Sequence, residues 1–226
     1  MKTLPFVWGF IAFSILGLDI FNQTETFVAL QDFESNIKPA VHPEEFLPNW
    51  SANVVRDNSS RVFQEPGEGI NGSKALGIQP IGSFNAQIYI KTTSKNLATP
   101  RISLQAKTRR NGSGNRPVYV FYSFSADEGT TFSVKQQIGS EDTFSNVDGQ
   151  YREYDFFIPD SLMERDPLII KLDVEYGKGS GSAARLFIDD FKVHGLEKDP
   201  GLEIISVEAS EGNTLTVDFN GDISLA

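Results

Sequence analysis

The sequence predicts an all-β protein, an antiparallel two-sheet sandwich, and three observations predict it. Short runs rich in Val, Ile, Phe, Tyr and Thr recur between residues 26 and 195, and these residue types suit a pleated, half-buried surface. Where apolar and polar residues alternate along a run, one face is buried and the other meets water. Polar turn clusters separate the runs, and a helical period is hard to find.

TFVALQDF (26–33) opens the series. SRVFQE (60–65) and KALGIQ (74–79) flank the turn cluster EPGEGINGS (65–73). FNAQIYIK (84–91) and RISLQAKT (101–108) follow. In the second, Ile102, Leu104 and Ala106 share one parity and point inward, while Arg101, Ser103, Gln105 and Lys107 point outward. RNGSGN (110–115) leads into PVYVFYSFS (117–125), and Asp127, Glu128 and Gly129 turn the chain into TFSVKQQI (131–138). YREYDFFI (151–158) precedes the one helix-like stretch, PDSLMER (159–165), at most two turns, which Asp160 or Ser161 can cap and Pro167 stops. LIIKLDVEY (168–176) sets Leu168, Ile170, Leu172 and Val174 against Lys171, Asp173 and Glu175, and GKGSGS (177–182) joins it to ARLFIDDFKVHG (184–195). Trp50, in FLPNWS, reads as a plug at the sheet edge. Beyond a boundary near 197–201, residues 203–208 and 214–219 form two more alternating strands. A lone hairpin is marginal in water, so these strands either pack on the sandwich or begin a second β domain, the favoured expectation.

The 226 residues, 39% hydrophobic and 22% charged, suffice for a sizeable core. Thirty acidic against 20 basic residues give a formal charge of -10. That balance argues against binding nucleic acid through phosphates, which needs a cationic footprint, and against adsorption to anionic membranes. Lys2 followed by an uncharged stretch to Leu18 is too short to span a bilayer and reads as a secretory signal peptide, cleaved between Gly17 and Thr24. The expected organisation is a signal peptide at 1–23, a sandwich at 24–197, and a linker with the start of another β domain at 198–226, with no membrane insertion after cleavage. There is no Cys, so disulfides, thiol catalysis, Cys-ligated zinc and iron–sulfur clusters are all excluded.

Catalytic signatures are absent. The two histidines, His42 and His194, cannot make a three-His zinc site, and neither belongs to HExxH. Asp189 and Asp190 are adjacent on a strand and face opposite ways, so they cannot act as one acid/base pair. No Gly-x-Ser-x-Gly elbow marks a nucleophile. Asp189 is still notable: it shares parity with Phe187, Phe191 and Val193, which places a carboxylate on an inward face where it needs a partner. The residues leave three partners open: a metal ion shared with Glu34 at the end of the first strand, backbone N–H groups, or Arg185. Two binding surfaces are conceivable. Trp50, Tyr89, Tyr119, Tyr122, Tyr151, Tyr154 and Tyr176 stack on sugars if they cluster outside, and otherwise pack in the core or at its rim. Lys107, Arg109, Arg110 and Arg116 either meet an acidic polysaccharide or form a solvated hairpin tip.

Three motifs carry a family resemblance: QDFES (31–35), FYSFSADEGTTFS (121–133) and ARLFIDDFKVHG (184–195). In that order they resemble jelly-roll modules in secreted proteins of Bacteroidetes-type bacteria, which are similar in turn to carbohydrate-binding jelly rolls. The segment IISVEAS…NTLTVDF resembles the opening of immunoglobulin-like repeats in bacterial surface proteins. The resemblance implies a jelly-roll sandwich, secreted or displayed at the cell surface, that binds a polysaccharide or cell-surface glycan, or adheres, without catalysis. It also implies a structural calcium held by Glu34 and Asp189, with Asp32 and Asp190 as weaker candidates. The alternative it leaves is an accessory part of a larger secreted hydrolase, or a glycan-active enzyme in its own right.

Overall fold

A computed structural model describes residues 24–198 together with the backbone of the strands at 204–210 and 214–219. The segment expected to be a signal peptide, 1–23, and most of the expected linker lie outside the described residues. In chain order the strands are β1 (Glu25–Gln31), β2 (Glu45–Leu47), β3 (Trp50–Ala52), β4 (Arg61–Pro66), β5 (Lys74–Gln79), β6 (Ala86–Thr92) and β7 (Leu97–Arg109). They continue as β8 (Val118–Ser125), β9 (Gln136–Gln137), β10 (Arg152–Phe157), β11 (Leu168–Tyr176) and β12 (Arg185–Glu197). Two antiparallel six-stranded sheets face each other as a jelly-roll sandwich. Sheet one runs β10-β7-β12-β5-β4, with β1 also on β12; sheet two runs β2-β3-β6-β11-β8-β9. β13 (Ile204–Ser210) and β14 (Thr214–Phe219) form a two-stranded sheet of their own, where two strands were expected.

Alternation decides what is buried. Ile102, Leu104 and Ala106 of β7 and Leu168, Ile170, Leu172 and Val174 of β11 all lie in the core between the sheets, as their parity predicts. At the open side of the sandwich Trp50 fills the gap, its indole edge-on to Phe33 at 5.2 Å and to Phe191 at 4.9 Å, with all three rings buried. The plug reading of Trp50 holds, and it belongs to a strand that the sequence did not reveal. β2 and β3 are three residues each, separated by Pro48 and Asn49, too short for an alternation to register.

Three further expectations are corrected. The strand expected over 131–138 shrinks to Gln136–Gln137, because Ser133 returns to Phe124 with both its N–H and its hydroxyl and takes the chain out of the ladder. The helix-like stretch is a single 3-10 turn, Asp160–Leu162, with Pro159 at its N-cap and no side-chain cap from Asp160 or Ser161. Most consequential, Asp189 does not share the core-facing side of β12 with Phe191 and Val193. A β-bulge between Asp189 and Lys192, with Asp190 at φ 45°, inserts a residue and reverses the parity. Leu186 and Ile188 before it, and Phe191 and Val193 after it, face the main core. Phe187 instead joins Phe63, Ala75 and Tyr151 in a small apolar cluster separate from the main core, and Asp189 shares its parity. Gly77 makes that cluster possible: a Cβ there would lie 2.3 Å from the Phe63 ring.

Candidate functional site

Two places on the sandwich collect chemistry. The first is the carboxylate group on sheet one. β1 runs antiparallel to the end of β12, with Gln31 opposite Phe191, so the chain leaving β1 passes Asp189 as expected. Phe33 is buried with φ 55°, and Asp190 also lies at positive φ, so non-glycine residues in a left-handed conformation flank both Glu34 and Asp189. Residues 70–74 join the two carboxylates. Ile70 N donates to Asp189 Oδ2 at 2.8 Å, and Lys74 N donates to Glu34 Oε1 at 2.9 Å. Asp189 also accepts its neighbour's amide, Asp190 N to Oδ1 at 2.9 Å, and a long contact from Ser73 Oγ at 3.5 Å.

Asp189 is 2% exposed, and burial pushes its carboxyl above the ordinary aspartate range. The two amides oppose that shift, while the charges of Asp190 and Glu34 add to it. Arg185 does not compensate, because its Nε donates to Gln79 Oε1 at 3.1 Å. Among the described residues no ion pair reaches Asp189; of the three partners left open by the sequence, backbone N–H groups are present. Asp32 is exposed and its Oδ1 closes a local turn onto Glu34 N at 3.1 Å. Among the described residues no three His, Asp or Glu side chains form a metal-binding group, so a cation here would need backbone carbonyls and water besides these carboxylates.

The second place is the outer face of sheet two. The non-core parity of β6, β11 and β8 lines up two rows across the strands. Ser51, Tyr89, Lys171 and Ser123 lie opposite one another in register, and so do Gln87, Asp173 and Phe121. His42 stacks on Tyr89 with ring centroids 4.2 Å apart, and its Nδ1 is 2.8 Å from Ser51 Oγ. Phe132 lies 6.1 Å from Tyr89, and Lys171 Nζ sits 4.6 Å above the Phe132 ring. Beneath the rings the polar groups bond to each other. Gln87 Nε2 donates to Asp173 Oδ1 at 3.2 Å, Lys171 Nζ is 3.3 Å from Asp173 Oδ2, and Tyr89 OH donates to Gln87 Oε1 at 3.3 Å. Burial and the nearby Asp173 raise the Tyr89 phenol, so it remains a donor at any physiological pH. A cleft of about 190 Å³ opens here, lined by His42, Ser51, Tyr89, Lys91, Glu128 and Ile169 among others.

A larger cleft of about 530 Å³ lies between β1 and the β2–β3 edge. Its one ring, Trp50, is turned against Phe33 and Phe191 and offers no free stacking face. The platform on sheet two is therefore the better candidate for binding. Of the tyrosines singled out from sequence, Tyr89 lies on it, and Tyr119 shares the outer face of β8 opposite Glu175, where its OH accepts Lys178 N at 3.3 Å. Tyr122 stacks on Phe156 at 4.0 Å, Tyr154 packs on Phe144, Tyr176 lies under Arg116, and Tyr151 belongs to the cluster on sheet one. Sequence reasoning missed His42 and Phe132 as partners of Tyr89, since both come from connections whose path no periodicity predicts. The cationic loop is tied down rather than presented. Lys107 and Arg109 both pair with Glu68, and Arg116 donates to the carbonyls of Gly177 and Gly181. His194 is buried, bonded to Glu25 Oε1 at 2.6 Å and stacked by Phe27.

The His42–Ser51 contact has the spacing of a base and a nucleophile, but no carboxylate among the described residues hydrogen-bonds His42 to orient it. At the edge of the platform Asp127 accepts Ser125 Oγ, Thr131 N and Thr131 Oγ1, which hold its carboxyl down at about 2. A carboxylate with a depressed folded pKa supports its turn above the unfolded value and releases it as pH falls through the folded one. The turn is thus expected to persist at pH 4 and loosen towards pH 2. Exchange of the Thr131 amide measured across that range checks this, and loosening already complete by pH 4 contradicts it.

No family model and no curated protein matches the chain. Among the described residues no helix is long and apolar enough to cross a membrane. Among solved structures the chain is similar to the CBM22-1 xylan-binding domain of Xyn10C from Paenibacillus barcinonensis, at 14% identity over 78% of this chain and 98% of that one, with a TM-score of 0.46. It is similar to the K3 cleaved adhesin domain of Lys-gingipain from Porphyromonas gingivalis, at 10% identity over 76% of this chain and 99% of that one, with a TM-score of 0.43. It is also similar to the CBM22-1 and GH10 modules of endo-1,4-β-D-xylanase 10B from Clostridium thermocellum, at 16% identity and a TM-score of 0.44, covering 74% of this chain but 28% of that one.

Proposed function

We propose that the chain is an exported, non-catalytic module that binds a neutral glycan on the outer face of sheet two and holds a structural calcium on sheet one. One observation carries the glycan reading: the rings of His42, Tyr89 and Phe132 stand beside a strip of bonded polar groups, Gln87, Asp173 and Lys171, on a rigid sheet. A sugar offers both an apolar C–H face for a ring and hydroxyls for polar groups, and a site of this composition meets both. Charge pairing favours a neutral ligand, because Lys171 is matched by Asp173 and Lys135 by Glu175. Export rests on the residues at 2–18.

The calcium reading is supported by Asp189, a buried carboxylate whose pKa burial and two neighbouring carboxylates raise. Calcium takes six to eight oxygens and tolerates irregular geometry, so Glu34 and Asp189 would hold it, with Asp190 and Asp32 close in sequence and carbonyls or water completing the shell. Its charge would neutralise a site that is otherwise strained by repulsion.

A panel of xylan, galactan, β-glucan and mannan, set against a polyuronate, tests the glycan reading by affinity electrophoresis and calorimetry on the full chain. Binding to a neutral member without release of reducing sugar is expected. Tyr89→Ala is expected to weaken it at least tenfold, roughly 1.4 kcal/mol or more. Retention of none of these polymers, equal binding by Tyr89→Ala, or turnover that His42→Ala abolishes, overturns it.

A further inference from the structure

The connection from β8 to β9 is tied far more tightly than a surface turn requires. Ser125 Oγ donates to Asp127 Oδ1 at 2.6 Å and accepts Gly129 N at 2.8 Å. Asp127 Oδ1 takes Thr131 N at 2.9 Å, its Oδ2 takes Thr131 Oγ1 at 2.6 Å, and its carbonyl takes Thr130 Oγ1 at 2.8 Å. Glu128 and Gly129, at φ 57° and 88°, bend the chain between these bonds. Beyond the turn, Ser133 N donates to Phe124 O at 2.8 Å, and Phe124 N donates to Ser133 Oγ at 3.0 Å. Phe132 therefore lies between two clamps, with little freedom to leave Tyr89 and Lys171.

This rigidity has a consequence for the cleft. Glu128 and Gly129 line it together with His42, Pro43 and Glu45, residues of the connection before β2 and its first position, while Tyr89 and Ile169 come from the sheet. Two connections thus border a space of about 190 Å³, below the roughly 300–1,000 Å³ of pockets that take larger ligands. It accommodates one sugar ring rather than a row of them. Ser123, in register with Lys171 on the outer face, is nonetheless buried with its hydroxyl unpartnered. Lys171, its neighbour in register, sits against the Phe132 ring with Nζ 4.6 Å from the ring centroid, so part of the flat face that a polymer would need is occupied by the protein itself.

We infer that the cleft takes a single terminal or branch sugar of a neutral glycan, and that Asp127 is a positioning residue that fixes the Glu128–Gly129 border and the Phe132 ring. The inference rests on the glycan reading and deepens it. Asp127 touches no ligand; it acts through Ser125, Thr131 and the turn they close.

The test is calorimetry of the full chain with the retained polysaccharide and its oligosaccharides from monosaccharide to hexasaccharide. Affinity within about threefold across the series, with one module bound per terminal or branch sugar, is expected. Asp127→Ala is expected to lose at least tenfold in affinity, with Asp127→Asn, which keeps one acceptor oxygen, recovering part of it. Combined with Phe132→Ala, Asp127→Ala adds less than its separate loss, the non-additivity of residues acting through one another. Affinity that climbs with each added unit, unchanged binding by Asp127→Ala, or full additivity overturns the inference while the glycan reading stands. Binding to no length of any sugar overturns both.

Discussion

Calcium added to chelator-treated protein is expected to raise the midpoint of thermal unfolding by about 5–10 °C. A ligand that binds only the folded state stabilises it by about 2.7 kcal/mol at a hundredfold excess over Kd, and each kcal/mol is about 2–4 °C for a chain of this size. Asp189→Ala should abolish the response and Glu34→Ala should weaken it, while magnesium should substitute poorly because it demands a compact octahedral shell. The pH dependence gives an independent sign. The folded Asp189 carboxyl is raised, so the metal-free protein is destabilised by its ionisation and gains stability as pH falls from neutral towards the ordinary aspartate range. Bound calcium favours the ionised form, so the calcium-loaded protein should lose stability over the same interval. Identical melting with calcium and with chelator, at neutral pH, removes the metal from the account.

Trp50→Ala is expected to cost about 3–5 kcal/mol, the range for truncating a buried aromatic, and so to lower the melting midpoint by about 6–20 °C. The indole meets Phe33 and Phe191 edge-on, so its loss leaves a cavity against β12 and the residue that precedes Glu34. The calcium response should weaken with it, since Phe33 holds the left-handed turn that delivers Glu34. Trp50→Phe should restore most of the stability. A loss below about 1 kcal/mol on denaturant unfolding shows that the ring is not a plug.

Much of the sandwich was legible because burial on one face leaves an alternating trace in each long strand. β5 and β11 match their expected limits, and the inward set of β7 is the observed one. What was not legible has local causes. β2 and β3 are too short to alternate, and the Ser133 bonds that end the ladder early use side-chain chemistry that no period records. The pairing of Glu34 with Asp189 followed from a resemblance, and the two carboxylates accept amides from the ends of one segment, Lys74 N and Ile70 N; the expected inward side of Asp189 failed because one inserted residue at the bulge flips every position before it relative to those after. The platform was the least legible part. Tyr89 and Asp173 lie in recognisable strands, but His42 and Phe132 reach them only through connections.

β12 is the common neighbour of β1, β5 and β7, so the first strand of sheet one closes against the last. A nascent chain cannot complete that sheet until residue 197 is available, and its decisive contacts join distant parts of the sequence. Such topologies fold in milliseconds to seconds rather than microseconds. Slow closure leaves the sheet open until then, and any product terminated upstream of residue 185 leaves three strands with exposed edges and a tendency to aggregate.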